Sequence, residues 1–264
     1  NIICLNSSYK WTFLKIKING ITKIVIKIVP KKTFFLLSVN IFFSEKGIKK
    51  IPIITIKGNS HSEDASRRCI KSIKNFDVNV FDAVTPTDNP LKLLENEGIP
   101  HVGFTRDDSE YTVVEPCISA FLSHYSLWKK CIEDDEEYQI FEHDAVAITN
   151  IPEWISYDKV ISLGQPSYGK FRTPEFLGSG PLTSKPYFPG AHAYRLKPKG
   201  AKILVDTAKT YCRTTDIYLD IRRFPFLQEF YPWPVVARDG FTTLQKEKGC
   251  LAKHGYSDKY EILT

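Results

Sequence analysis

The residues best suited to chemistry in this chain are Glu142 and Asp144, set either side of His143 in the run Ile140-Phe141-Glu142-His143-Asp144-Ala145. The preceding residues 138–141 read as a strand, and on an extended chain side chains at i and i+2 project to one side. Two carboxylates placed that way can face one cation. Hard cations such as Mg²⁺ or Mn²⁺ prefer such oxygens and keep positions open for phosphate. The plainer account of an acidic-x-acidic triplet is a solvated strand end, since turns favour Asp.

Other residues could join them. His124, in Leu122-Ser123-His124-Tyr125, lies on a helical stripe ahead of the carboxylates, where a core histidine is the ordinary alternative. His192 alternates with Tyr194 along an expected strand and reads as packing rather than as a metal ligand. Arg67 and Arg68 follow the first strand, where a guanidinium could reach a phosphate or a base, although helix arginines are usually just solvated. Asp216, after Thr214-Thr215, opens a short helix and is either a base or an N-cap.

The elements that would carry these residues alternate. Residues 52–56 and 78–84 read as strands. Between them runs a helix from Ser60 to about Lys74, with Ser60 and Glu63 spaced as a capping box. Residues 91–96 form a short helix ended by Gly98. In residues 116–132, Ile118, Phe121, Leu122, Tyr125 and Trp128 recur at spacings of three and four, which predicts one apolar helical stripe. Strands follow at 138–141, 159–163 and 191–196, and helices at 198–209 and 216–222. Residues 164–189 are rich in Gly, Pro and Ser and read as a long loop, a class that is usually functional or mobile. This alternation predicts an α/β sandwich with a mostly parallel sheet, in which ligands gather at the carboxyl ends of strands.

Charge sharpens the picture. The chain carries a formal charge of +6, yet residues 1–50 hold ten Lys and one Glu, so the remainder is net acidic. That distribution gives the main domain no nucleic-acid signature. Residues 1–50 are dominated by Ile, Lys, Phe and Asn. Their apolar run at 33–43 is too short for a bilayer, which needs about 20 residues. Residues 21–29 alternate as a strand would. The stretch reads as a membrane-surface anchor, an extra strand, or sequence upstream of a natural start, and the last is favoured by its biased composition. The absence of methionine fits a fragment or an imperfectly bounded frame. The domain itself is expected over 51–264. Six scattered cysteines, none in a CxxC pair, read as small buried hydrophobes in a reducing compartment. A cytoplasmic location is therefore expected, with peripheral contact to a membrane surface as an option.

The order of the motifs adds a resemblance. Ile53-Ile54-Thr55-Ile56 through Arg67, Phe81-Asp82-Ala83-Val84, the helix from Cys117 to Lys129 with its Ser123-His124 pair, and Glu142-His143-Asp144 occur in one order. So do residues 190–196, Lys199-Gly200-Ala201 and Thr215-Asp216-Ile217-Tyr218-Leu219. This set, over residues 52–243, resembles the family 25 glycosyltransferases, which include bacterial lipooligosaccharide galactosyltransferases and collagen galactosyltransferase domains. His143 stands where that family usually has an acidic residue, so only Glu142 and Asp144 carry over as metal-site candidates.

The resemblance implies a GT-A-like three-layer sandwich and an inverting, divalent-metal-dependent transfer. A hexose would pass from a nucleotide-sugar donor, a UDP-hexose, to a hydroxyl acceptor on a glycan. It implies that Glu142 and Asp144 hold Mn²⁺ or Mg²⁺, and that Arg67, Asp82 and Ala83 line the nucleotide pocket. Ser123 and His124 would support the metal rim or the donor phosphates. Asp216 is the candidate base, and the loop 164–189 the candidate lid and acceptor-selecting segment. The rival expectation is a non-catalytic nucleotide-sugar or carbohydrate binding module, suggested by His143.

Overall fold

The computed structural model describes residues 9–18, 21–30, 48, 50–109, 112–238, 241–245 and 261–262, with 9–30 and 261–262 described by backbone alone. The chain divides into two compact units, Asn1–Gly47 and Ile48–Thr264. In the first, β1 (Tyr9–Ile18) and β2 (Ile21–Pro30) pair antiparallel, from Tyr9 opposite Pro30 to Ile18 opposite Ile21. The alternating stretch at 21–29 is thus a strand. The run at 33–43 lies outside the described residues.

The second unit alternates strands and helices as expected. It runs β3 (Pro52–Thr55), α1 (Ser60–Ser72), β4 (Asn79–Asp82), α2 (Pro90–Glu97) and α3 (Val114–Asp134). Next come β5 (Tyr138–Glu142), β6 (Ala145–Ala147), β7 (Val160–Ser162), β8 (Gly178–Pro181), β9 (Ala193–Leu196), α4 (Pro198–Ala208) and α5 (Thr215–Tyr218). The last are β10 (Leu227–Tyr231), β11 (Val235–Ala237), β12 (Phe241–Thr242) and β13 (Glu261–Ile262).

Seven strands form the central sheet in the order β4-β3-β5-β9-β7-β10-β8. Strands β4, β3 and β5 are parallel neighbours, β9 is antiparallel to both β5 and β7, β10 is parallel to β7, and β8 is antiparallel to β10. All but β9 and β8 therefore run in one direction. Side-chain alternation puts a different core on each face. Ile54, Ile140 and Tyr194 pack with α3 and α4, whereas their neighbours Ile53, Phe141 and Ala193 pack with Cys69 and Ile73 on the α1 side. The result is a three-layer α/β sandwich.

Helix α3 is the centre of the larger core. Its stripe of Ile118, Phe121, Tyr125 and Trp128 is essentially excluded from water, and Pro116 falls in the first turn, where a missing N–H costs nothing. Three details depart from the sequence reading. The cap of α1 is Asn59, whose side chain accepts from the Ser62 N–H, while Glu63 reaches back to the Gly58 N–H at 2.9 Å. Helix α5 is a single turn at Thr215–Tyr218, and Thr214, not Asp216, holds its N-cap position. The stretch 164–189 is not all loop. Its β8 adds an edge strand to β10, a place where Gly and Pro are tolerated because few ladder bonds are needed.

The carboxyl ends of β3, β4 and β5 meet at one rim: Thr55 is opposite Asp82, and Ile54 opposite Glu142. That rim, completed by the segments before β9 and α5, is where a cavity opens.

Candidate active site

Glu142 is the last residue of β5, its N–H bonded to the His192 carbonyl at 2.9 Å. His143 and Asp144 then form a two-residue turn into β6. Glu142 and Asp144 therefore do not share one extended segment as the sequence predicts, because the strand ends two residues before Asp144. Both residues nonetheless line one cavity of about 610 Å³, within the ~300–1,000 Å³ typical of small-molecule sites.

Glu142 is not left to find its own orientation. The Trp128 indole N–H donates to the Tyr194 hydroxyl at 2.8 Å, Tyr194 lies 2.8 Å from His124 Nδ1, and His124 Nε2 lies 2.9 Å from Glu142 Oε1. Because the ionised carboxylate can only accept, Nε2–H donates to Glu142, and in that tautomer Nδ1 accepts the hydrogen of the Tyr194 hydroxyl. Burial raises the Tyr194 hydroxyl well above the ordinary tyrosine range despite the indole bond, so it keeps that hydrogen. Trp128, Tyr194 and His124 are all buried, and Glu142, 28 % exposed, is the end of the chain that reaches the cavity. Ser123, one residue before His124, accepts from the Val84 N–H at 2.9 Å and ties α3 to the rim after β4.

Asp216 lines the same cavity. Tyr168 donates its hydroxyl to Oδ2, and the Ile217 N–H donates to Oδ1 at 2.8 Å. Burial raises the Asp216 carboxyl above the ordinary carboxylate range. The hydrogen bonds from Tyr168 and Ile217 oppose the shift, and the nearby charge of Glu142 adds to it. A carboxylate of raised basicity is better matched to taking a proton. The segment carrying it is fixed by Asp108, which is buried, ion-paired with Arg213 and bonded to the Thr214 N–H at 3.0 Å. Asp108 closes a π-helical turn at Gly103–Asp108, a distortion common at functional sites.

The remaining walls come from elsewhere. His143 stacks on Phe241 with centroids 5.5 Å apart and planes 9° off parallel, and its Nδ1 lies 3.1 Å from Ser62 Oγ. The stretch 164–189 supplies Tyr168, Lys185 and Tyr187. It is knitted to the body by Glu229, a buried carboxylate that accepts from the Thr183 and Ser184 N–H groups and from the Trp233 indole. His192 is buried at the rim, and Gly164 is what makes room for it: a Cβ there would come within 2.4 Å of its Nε2.

Of the residues singled out from sequence, Glu142, Asp144 and Asp216 come together in the cavity, and His124 reaches it through Glu142. Arg67 lies exposed on α1 beside Asp64, Asp82 is exposed at the end of β4 beside Lys57, and Ala83 bonds its N–H to the Thr55 carbonyl. None of those three lines the cavity. Asp108, Tyr168, Tyr187, Lys185 and Phe241 were not singled out, as isolated polar and aromatic residues in irregular segments carry no spacing signal. The four cysteines of the described core are free thiols, buried, and those at 69, 117 and 131 are pushed up to about 12 by burial. They are inert packing, as their scatter suggested.

Fold and cavity together define an α/β sandwich protein with an acidic site at the carboxyl ends of its strands. Residues 50–171 match the model of glycosyltransferase family 25 (LPS biosynthesis protein), which shows over that stretch the resemblance drawn from the motifs. The matched residues run from two residues before β3 into the segment after β7 and include Glu142 and Asp144; Lys185, residues 190–196 and Asp216 lie beyond them. No curated protein matches the chain. Among the described residues, no helix is long and apolar enough to cross a membrane.

Proposed function

We propose that the protein is a glycosyltransferase that moves a hexose from a UDP-sugar to a hydroxyl on a glycan acceptor, with inversion and with a divalent metal. The observation that carries this reading is that Glu142, Asp144 and Asp216 line one cavity, with the Asp216 carboxyl raised and the Glu142 carboxylate oriented. The family description points to lipopolysaccharide assembly as the setting, and a cytoplasmic location with peripheral membrane contact is part of the same proposal.

The donor set suits Mn²⁺ or Mg²⁺. Among the described residues no group of three His, Cys, Asp or Glu is arranged as a metal cage. Magnesium-type sites are usually held by one or two carboxylates and completed by substrate phosphates, which is what Glu142 and Asp144 offer. Bound there, the ion would offset the charge that develops on the leaving diphosphate. The chain's own residues do the rest. Asp216 takes the proton from the acceptor hydroxyl, with Tyr168 and the Ile217 N–H fixing the carboxylate's direction. Inversion requires this base on the sugar face opposite the leaving group, as it does in inverting glycosidases. His124 and Ser123 hold the rim. Arg67, Asp82 and Ala83, outside the cavity, would meet only the far, nucleoside end of the donor.

The test is calorimetry of UDP with and without Mn²⁺, followed by a donor-hydrolysis and transfer assay, on wild type and Asp144→Ala. The expected result is metal-dependent UDP binding and turnover in the wild type and loss of both in a variant that stays folded. Unchanged metal-dependent turnover in Asp144→Ala overturns the metal role, and binding without any turnover favours a binding module.

A further inference from the structure

Among the described residues, one cation faces this acidic cavity. Lys185 is the only lysine or arginine among the described residues that line it. Its Nζ donates to the Tyr168 carbonyl at 2.9 Å, lies 3.4 Å from the Tyr187 hydroxyl, and sits over both rings, 5.0 and 5.2 Å from their centroids. The rings are 6.1 Å apart and tilted by 36°. Gly169, at φ +65°, leaves the space: a Cβ would come within 2.7 Å of Nζ. No carboxylate among the described residues lies within the 4.0 Å of an ion pair with Lys185, whereas Asp108, the cavity's buried acid, has Arg213. An ammonium carries three N–H donors, and the carbonyl and the hydroxyl use two.

A partly buried cation without a counter-ion is costly unless an anion arrives to meet it. Its position says which anion. Tyr168 bears Lys185 against its ring and gives its hydroxyl to Asp216, so the lysine stands on the side of the base. The leaving diphosphate stands on the opposite face of the sugar. Aromatic rings flanking a polar anchor also suit a sugar ring, whose apolar face can lie against them.

We propose that Lys185, Tyr168 and Tyr187 form the acceptor subsite and that the acceptor is an acidic sugar, carrying a carboxylate or phosphate close to the hydroxyl that is glycosylated. This rests on Asp216 being the base of the proposed transfer. The third N–H of Lys185 meets the anionic group while the rings support the sugar that bears it.

Ligand-observed NMR titrations with methyl β-glucoside, methyl β-glucuronide and glucose 6-phosphate test this on wild type, Lys185→Gln and Lys185→Arg. UDP with Mn²⁺ is titrated in parallel. Wild type should bind one or both anionic sugars about tenfold more tightly than the neutral one, the scale of one charge-assisted hydrogen bond. The glucuronide and phosphate arms report which anion is preferred. Lys185→Gln should erase the difference, Lys185→Arg should keep most of it, and UDP affinity should not change. Equal binding of neutral and anionic sugars by wild type overturns the inference, as does a Lys185→Gln variant that loses UDP affinity and keeps the charge preference. If Lys185→Gln fails to fold, the comparison of sugars on wild type and Lys185→Arg decides alone. Should wild type prefer the anionic sugars yet bind no UDP, the anion-binding subsite stands and the transferase reading falls.

Discussion

Tyr194→Phe deletes a single oxygen, and that oxygen is the junction of the buried hydrogen-bond chain behind Glu142. The Trp128 indole N–H and His124 Nδ1 each lose a partner at 2.8 Å. Trp128 and His124 are 0 % and 1 % exposed, so water cannot replace what is lost. The ring itself fits as before, and no cavity term enters beyond the hydroxyl. A buried polar group left unsatisfied costs about 1–3 kcal/mol, so two should cost about 2–4 kcal/mol once the side chains relax towards each other. For a unit of this size that corresponds to a fall of roughly 5–15 °C in the melting midpoint. Urea unfolding of wild type and variant measures the loss directly. A second readout separates orientation from mere stability: with Nδ1 no longer anchored, His124 can turn, and if Glu142 holds the ion as proposed, Mn²⁺-dependent UDP affinity should fall roughly 10–100-fold, as is typical when a partner behind a metal ligand is removed. A variant within about 0.5 kcal/mol of wild type, the range of ordinary surface substitutions, would refute the idea that these four side chains act as one chain.

The other expectations concern the proposed base and the rim. The Asp216 carboxyl is raised above 3.8 in the folded chain, so its contribution to stability is complete below that value and is lost as pH rises through the higher folded value. Asp216→Asn should therefore be at least as stable as wild type at neutral pH, with the gap closing in acid, while transfer is abolished; melts at several pH values would contradict this if the variant were the weaker one at neutral pH. Gly164→Ala forces a Cβ to within 2.4 Å of the His192 ring. Overpacking of that kind costs about 1–3 kcal/mol, and an unchanged urea midpoint would mean that the ring is free to move aside.

Much of the scaffold was legible because periodicity is a strong signal when an element is long and one-sided. The stripe on α3 and the strands flanking α1 follow from burial on defined faces, whereas the split of Ile53 and Ile54 between two cores shows only in the structure. Short elements were not. The three-residue strands β6 and β11 are too brief for a period, and the edge strand β8 has the composition of a loop. At the site, Glu142, Asp144 and Asp216 were visible because acidic residues at element ends stand out. Tyr168, Tyr187 and Lys185 were hidden. Their value comes from one segment folding back so that Lys185 meets residues at 168 and 187, a juxtaposition with no sequence spacing of its own.

His143 can be understood on the same physical terms. Asp216 is already raised in part by the charge of Glu142, so another carboxylate between Glu142 and Asp144 would raise it further and crowd the cavity with like charge. An aromatic ring adds no negative charge and takes up a mechanical task instead. Ser62 accepts from the Ile56 N–H at 2.8 Å and has its own hydrogen left for His143 Nδ1, which ties the loop after β3 to the turn after β5. The other face of the task is Phe241, stacked on His143 and met edge-on by His61, which becomes a fixed wall of the cavity. If two carboxylates suffice for a cation completed by substrate phosphates, the middle position is free to serve shape. On that argument the histidine is a change in how the rim is braced, and the proposed acidic chemistry stays with its two neighbours and Asp216.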